Sequence, residues 1–305
     1  MPFHLRPDPD RALTRRELLA GLAVGGGVLG VAGAVRPAAP DAAGPWFALV
    51  SDTHIAGDPK AKVRGQVMAE NLGAVVADIL GAGSQPEGVL IDGDLALLDG
   101  RAGDYAALLA SLEPIRAAGV PLHFTLGNHD DRANFRAAVG KAMPLAPLVE
   151  AKQVGAFDAL SHRFVLLDSL DQVNVTPGLL GPAQLGWLAH ELDEGRGRPT
   201  LVFVHHNPKA VKVPGLIDDA ALLAVLAGRP WVRALIYGHT HTWVRSRQGE
   251  LDLINLPAVG YPFAANQPIG YCRLRASGGR ATLELRAVGA DRSRHGETWN
   301  LAWGA

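Results

Sequence analysis

From Trp46 onward, short uninterrupted apolar runs alternate with longer stretches in which apolar residues recur at three- and four-residue intervals. Runs of the first kind predict strands buried on both faces, and stretches of the second kind predict amphipathic helices. The expected strands are 46–51 (WFALVS), 88–92 (GVLID), 121–126 (PLHFTL), 163–168 (RFVLLD), 200–205 (TLVFVH) and 233–238 (RALIYG). The expected helices are 66–80, 105–118, 182–192 and 219–226. Residues 251–288 break strand-like runs with "GYP" and "SGG" turns and read as meandering β structure. Such alternation predicts an α/β domain with two packed sheets and helices outside. The tail 291–305 has no assigned place, although Trp299 and Trp303 give it a reason to pack back on the body.

Residues 1–44 belong to a different class. Arg15 and Arg16 follow Thr14 and precede Leu18 and Leu19, and a Gly/Ala-rich uncharged stretch comes next, with small residues around Ala32 to Ala34. That order resembles a bacterial twin-arginine export signal. The competing reading is an uncleaved anchor, since 18–35 is just long enough to span a bilayer, but its glycines make it weakly apolar. "RPAAPDAAGP" then reads as a flexible linker. The expected organisation is a signal and linker over 1–44, one domain over 45–290 and a tail over 291–305. The protein is expected to be exported to the periplasm or beyond, meeting a membrane only through the export machinery or an uncleaved signal.

Charge narrows the partners. Lys and Arg (29) nearly cancel Asp and Glu (30), leaving a net charge of −1 over 305 residues, so no broad positive field exists to attract a nucleic-acid polymer. A small substrate fits better. The single cysteine, Cys272, excludes an intrachain disulfide and a Cys-rich zinc site, and its place in an apolar run reads as core packing. Nothing in the pattern specifies an oligomer.

The chemistry gathers at strand ends. Five expected strands run into small polar clusters: "SDTH" (51–54), "DGDL" (92–95), "GNHD" (127–130), "HHNP" (205–208) and "GHTH" (238–241). Ligands of α/β sheets collect at the carboxyl ends of strands, so segments distant in sequence can converge there. The set consists of carboxylates, imidazoles and one carboxamide without thiolate, which suits Zn, Mn or Fe, and it is large enough for two ions. Asp52 and His54 are two residues apart, as are His239 and His241, and on an extended backbone each pair would face one way. Gly93, Gly127 and Gly238 precede candidate ligands, where a missing Cβ permits a sharp turn and a close approach.

In order and residue type, these clusters resemble the complete signature of the calcineurin-like metallophosphoesterases, from about Trp46 to about Val288. "VHHNP" and "GHTH" look most similar to the class III cyclic-nucleotide phosphodiesterases. The resemblance implies a four-layer αββα sandwich, the metallo-dependent phosphatase-like fold, with two divalent or trivalent ions (Fe, Mn or Zn) as cofactors. It implies that Asp52, His54 and His241 hold one ion, that Asn128, His205 and His239 hold the other, and that Asp94 bridges them. His129 would face the phosphate as proton donor, with Asp130 orienting its ring. His206 would point away or support a ligand. The activity implied is hydrolysis of small phosphodiesters, such as cyclic nucleotides, by attack of a metal-bridged hydroxide. Export would favour 2',3'-cyclic nucleotides or glycerophosphodiesters. The alternatives are a phosphomonoesterase and a non-catalytic metal-binding scaffold of the same fold.

The remaining histidines read as structural. His4 precedes the signal, His123 lies inside an expected strand, and His162, His190 and His295 have no polar cluster around them. Lys60, Lys62 and Arg64 follow the first motif and are candidates for meeting substrate charge. Tyr261, Phe263 and Asn266 follow the last and are candidates for lining a pocket.

Overall fold

The structure, a computed structural model, describes residues 44–140, 149–208, 213–277 and 280–302. The expected export segment and Trp303 lie outside the described residues. Among the described residues no helix is long and apolar enough to cross a membrane.

Two six-stranded sheets form the centre. One is built on β1 (Phe47–Ser51), β4 (Gly88–Asp92) and β5 (Leu122–Thr125), which run parallel. β12 (Pro268–Ser277) joins β1 antiparallel, followed by β13 (Arg280–Ala290) and β14 (Thr298–Ala302). The other has β8 (Thr200–Phe203) between β7 (His162–Leu166) and β9 (Val232–Tyr237), all parallel. Its flanks are β6 (Gly155–Ala159) on one side and β11 (Leu251–Asn255) then β10 (Val244–Gln248) on the other. A two-residue-per-strand hairpin, β2 (Lys62–Val63) and β3 (Gln66–Val67), stands apart.

Burial of β1, β4 and β8 on both faces matches their continuous apolar runs, because another layer covers each side. Between the sheets lies an aromatic slab: Phe47 packs 5.1 Å from Phe164, His123 stacks on Phe157 at 3.8 Å, and Phe164 stacks on Phe203 at 5.6 Å between centroids. Helix Met68–Leu80 packs outside the first sheet on β12 and β13, and its neighbour Ala102–Ala117 packs on it. On the second sheet, Leu188 and Leu192 of helix Pro182–Glu194 join Leu222 and Leu226 of helix Asp219–Ala227 over Val165, Val202 and Leu235. The result is the expected four-layer αββα sandwich.

Three local readings differ. The helix expected over 66–80 begins at Met68, because Gln66 and Val67 belong to the hairpin. Helix Arg132–Val139 was not expected; its N-cap is Asp131, whose side chain accepts from the Asn134 amide at 2.8 Å. The tail has a place after all. Residues 298–302 form β14, and Trp299 stacks on buried Trp243 at 3.6 Å with 6° between the rings.

Candidate metal centre

All five polar clusters leave the carboxyl ends of strands at one edge of the sandwich. Asp52 follows β1, Asp94 follows β4, Asn128 follows β5, His205 follows β8, and His239 and His241 follow β9. The backbone there is not the extended continuation that the two-residue spacing invited. Asp52, His54, Asp94, His239 and His241 all adopt positive φ, between 44° and 67°. A left-handed residue other than glycine costs roughly 1–3 kcal/mol, so five at one edge mark a site whose surroundings enforce its geometry. The enforcing contacts are visible. His54 N donates to Asp94 O at 2.9 Å, Gly260 N to Asp52 O at 2.8 Å, and His239 N to both Asp52 carboxylate oxygens at 3.1 Å. Asn255 fastens the last loop, with its Nδ2 donating to the carbonyls of Tyr237, Gly238 and Leu256 and its Oδ1 accepting from Thr240 and Thr242.

Two glycines let these loops meet. A Cβ at Gly127 would lie 2.5 Å from Asp94 N and 2.6 Å from His205 Cδ2, and one at Gly238 would lie 2.5 Å from Asp52 Oδ2. No larger residue fits without moving a candidate ligand.

The side chains converge in two groups, and a third, His54, Asp94 and His129, shares a member with each. Asp52, His54 and His241 form one, with His241 Nε2 3.3 Å from Asp52 Oδ1 and 3.0 Å from His54 Nε2. Asp94, His205 and His239 form the other, with His205 Nε2 3.2 Å from Asp94 Oδ2. Asp94 Oδ2 is also 3.7 Å from His54 Nε2, so this one carboxylate stands between the groups. The neighbouring histidines 239 and 241 therefore face different halves of the site.

The donor set fits cations. Each of four imidazoles turns one nitrogen to a backbone carbonyl: His54 Nδ1 to Leu97, His205 Nδ1 to Asp92, His239 Nε2 to Pro214, and His241 Nδ1 to Tyr261. A carbonyl only accepts, so the bonded nitrogen carries the proton and the other nitrogen is left with a lone pair facing the cluster. His205 Nε2 and the Asn128 Oδ1 atom are both buried without a hydrogen-bond partner. Buried polar atoms are rarely left so, and an ion answers both. Two Nε2 atoms 3.0 Å apart, on His54 and His241, likewise face each other as two acceptors, an approach that a cation held between them would satisfy.

Electrostatics agree. Burial alone would raise the Asp52 and Asp94 carboxyls, but the His241 and His205 imidazoles respectively hold both well below the usual range. Burial would lower His205, yet Asp94 and Asp52 lift it to about 10. Burial pushes His54 down to about 3 and His239 to about 4, keeping both neutral.

His129 differs from the ligands. Its side chain is 19% exposed, against at most 1% for His54, His205 and His241, so it alone of these can reach a bound molecule. Its amide donates to Asp94 Oδ1 at 2.9 Å. The expectation that Asp130 orients its ring is corrected: His129 Nδ1 meets the Leu98 carbonyl at 3.0 Å. Asp130 is fully buried and instead accepts from the amides of Gly127, Leu95 and Ala96 at 2.9–3.2 Å and from the Tyr105 hydroxyl at 3.1 Å. It ties the "GNHD" loop to the "DGDL" loop. His206 is also buried; its Nδ1 lies 2.8 Å from Ser169 Oγ and its ring 4.6 Å from that of His239. Asn255, Tyr105 and Ser169 have no signature of their own in the sequence. Of the remaining histidines, His162 faces the Leu160 carbonyl and His295 the Ala287 carbonyl, both away from the site.

Comparison with known proteins completes the picture. The signature of the family described as calcineurin-like phosphoesterase matches residues 45–243. The chain belongs to this family. Among its relatives, a cAMP/cGMP dual specificity phosphodiesterase of Mycobacterium tuberculosis is 36% identical over 201 residues, covering 63% of this chain and 60% of the relative. The 3',5'-cyclic adenosine monophosphate phosphodiesterase CpdA of Pseudomonas aeruginosa is 30% identical over 220 residues, covering 70% and 76%. A dimetal phosphatase from Danio rerio shares the calcineurin-like fold with a TM-score of 0.66 at 18% identity, over 85% of this chain and 99% of that one.

Proposed function

We propose that the chain is a dinuclear-metal phosphodiesterase that hydrolyses small phosphodiesters. The observation that carries this reading is the set of four buried imidazoles, each anchored through one nitrogen to a carbonyl, converging with three polar side chains on two ion positions that share Asp94. Asp52, His54 and His241 would hold one ion, Asn128, His205 and His239 the other. When bound, such ions supply Lewis-acid polarisation of the phosphoryl oxygens and a water nucleophile at neutral pH. Iron, manganese and zinc all suit the donors.

The chain's own contribution is positioning and proton transfer. Leu98 O fixes the His129 ring through Nδ1–H, which leaves Nε2 pointed into the opening, 4.0 Å from Asp94 Oδ2. From there an imidazolium can hand its Nε2 proton to a departing alkoxide. Asp130 keeps the loop carrying His129 fixed to the loop carrying Asp94. A scaffold without turnover is disfavoured because every donor of the signature is present.

Cyclic nucleotides are the substrates named for relatives, and they are the first candidates here. We further propose export through the twin-arginine pathway, on Arg15 and Arg16 and the Gly/Ala-rich stretch after them. Outside the cytoplasm, 2',3'-cyclic nucleotides and glycerophosphodiesters become the better candidates.

The test is metal-reconstituted protein on a panel of 3',5'- and 2',3'-cyclic nucleotides, glycerophosphodiesters and monoesters. Turnover of monoesters alone would replace the reading with phosphomonoesterase, and two bound metals without any turnover would favour the scaffold. His129→Ala should retain both metals and lose about 10²–10⁴-fold on alkyl esters, but far less on a nitrophenyl ester whose leaving group needs no proton. Equal losses on both would remove His129 from the proton-donor role.

A further inference from the structure

Six large apolar side chains are exposed among the described residues: Leu80, Leu98, Val175, Ile217, Val244 and Phe263. Single exposed apolar residues are ordinary, but their placement here is uneven. Four of the six sit on loops that form or touch the proposed metal centre. The Leu98 carbonyl holds His129. Val175 follows Asn174, whose amide donates to the carbonyl of Asn128 at 2.5 Å. Ile217 lies in the segment whose Pro214 carbonyl anchors His239. Phe263 stacks on His241 at 4.0 Å with 5° between the rings.

These loops are joined to one another. Asn174 Nδ2 reaches Asp99 Oδ1 at 3.5 Å, linking the loops of Leu98 and Val175. Gly178 N donates to Gly215 O and Ile217 N to Gly178 O, each at 2.9 Å, linking the loops of Val175 and Ile217. The loops that carry Leu98, Val175 and Ile217 are therefore bonded to one another beside the metal centre. On the loop after β9, His241 covers one face of Phe263, and the Arg64 guanidinium lies over the same ring at 5.1 Å. A parallel ring at 4.0 Å leaves no room for a guanidinium on its side, so Arg64 lies over the other face of Phe263.

We propose that the substrates are phosphodiesters in which the ester group that stays behind is apolar, and that this group rests on Leu98, Val175 and Ile217 while the phosphate sits at the metal centre. The inference rests on the phosphodiesterase reading and, within it, favours diesters with an apolar substituent over the cyclic nucleotides and glycerophosphodiesters named first. A small polar substituent such as glycerol would leave the three side chains in water. An alkyl or acyl-bearing substituent removes them from it, and removes itself as well.

The experiment uses the metal-loaded full chain and a series of p-nitrophenyl alkyl phosphodiesters in which the alkyl group lengthens from methyl to hexyl. The leaving group is constant, so differences in kcat/KM report the alkyl group. Full burial of a methylene is worth about fourfold, and burial against a half-open rim about twofold, which predicts a gain of roughly 30-fold across the five added methylenes. In the Val175→Ser/Ile217→Ser double variant the hexyl-to-methyl ratio should fall below about fivefold. Both side chains are exposed, so folding is not at stake, and thermal melts confirm it. A flat series with measurable turnover of the methyl ester overturns the proposal, as does a gradient that survives in the double variant. So does a flat series from a protein that cosediments with phosphatidylglycerol vesicles, since the rim would then face a membrane surface. Absence of turnover on every ester with both metals loaded overturns the phosphodiesterase reading, and the present inference with it.

Discussion

Replacing Gly127 by alanine tests whether the loops at the sheet edge are held by close packing of backbone against ligands. The added Cβ would lie 2.5 Å from Asp94 N and 2.6 Å from His205 Cδ2, where ordinary contact begins near 3.4 Å. The overlap is therefore about 0.8–0.9 Å, and neither neighbour is the free end of a flexible chain. Asp94 is 1% and His205 0% exposed, so relief requires moving the Asp94 loop or the His205 imidazole, both part of the proposed metal site. Overpacking of this kind costs about 1–3 kcal/mol. In a domain of this size about 2 kcal/mol lowers the midpoint of thermal unfolding by roughly 4–8 °C. Misplacing a reacting constellation by about 1 Å costs about 10²-fold in rate. Melts in EDTA read the packing term without metal, metal content after dialysis reads the ligand set, and kcat/KM on a nitrophenyl diester reads the consequence. Gly73→Ala, in helix Met68–Leu80, is the control: its Cβ would meet nothing within 4 Å, and the helix should gain about 1 kcal/mol. A Gly127→Ala protein that keeps two ions and rate within threefold of the parent would refute the argument that the loop requires glycine.

Two further outcomes follow from the same geometry. His241→Ala should lose the ion of Asp52 and His54, and His239→Ala the ion of Asp94 and His205, each reducing bound metal from two equivalents to one; loss of the same ion in both variants, read by metal-specific spectroscopy, would contradict the split. His162, buried away from the site and facing the Leu160 carbonyl, is pushed below its ordinary range by burial. Its folded value lies below the unfolded value of about 6.5, so its contribution to stability is present above that pH and is lost as pH falls through the folded value. The parent should accordingly lose more thermal stability between pH 7.5 and 5 than His162→Gln does, and equal losses would exclude the effect.

The sequence made the strands legible because β1, β4 and β8 are buried on both faces and so lack polar interruptions. It made the ligands legible because their types are restricted by coordination chemistry and their order by the strands they follow. What it hid has physical causes. The same-face argument for Asp52 with His54, and for His239 with His241, assumed extended backbone, whereas left-handed residues at both members of each pair do that work. Asp130 stands beside His129 in sequence, but its carboxylate is drawn to three amides left by the tight turns of neighbouring loops. Asn255 and Tyr105 act through loops distant in the chain, so no local pattern announces them. β14 has alternating polar residues and only gains its meaning from an open edge on β13 and the face of Trp243.

Four of the candidate donors, Asp52, His54, Asp94 and Asn128, hang from the first sheet, and three, His205, His239 and His241, from the second. Each ion position draws on both. On the proposed ligand set neither sheet alone would complete a coordination shell, so tight metal capture would wait until the two have docked. Once captured, the pair of ions would act as a clasp across the seam between the halves of the molecule.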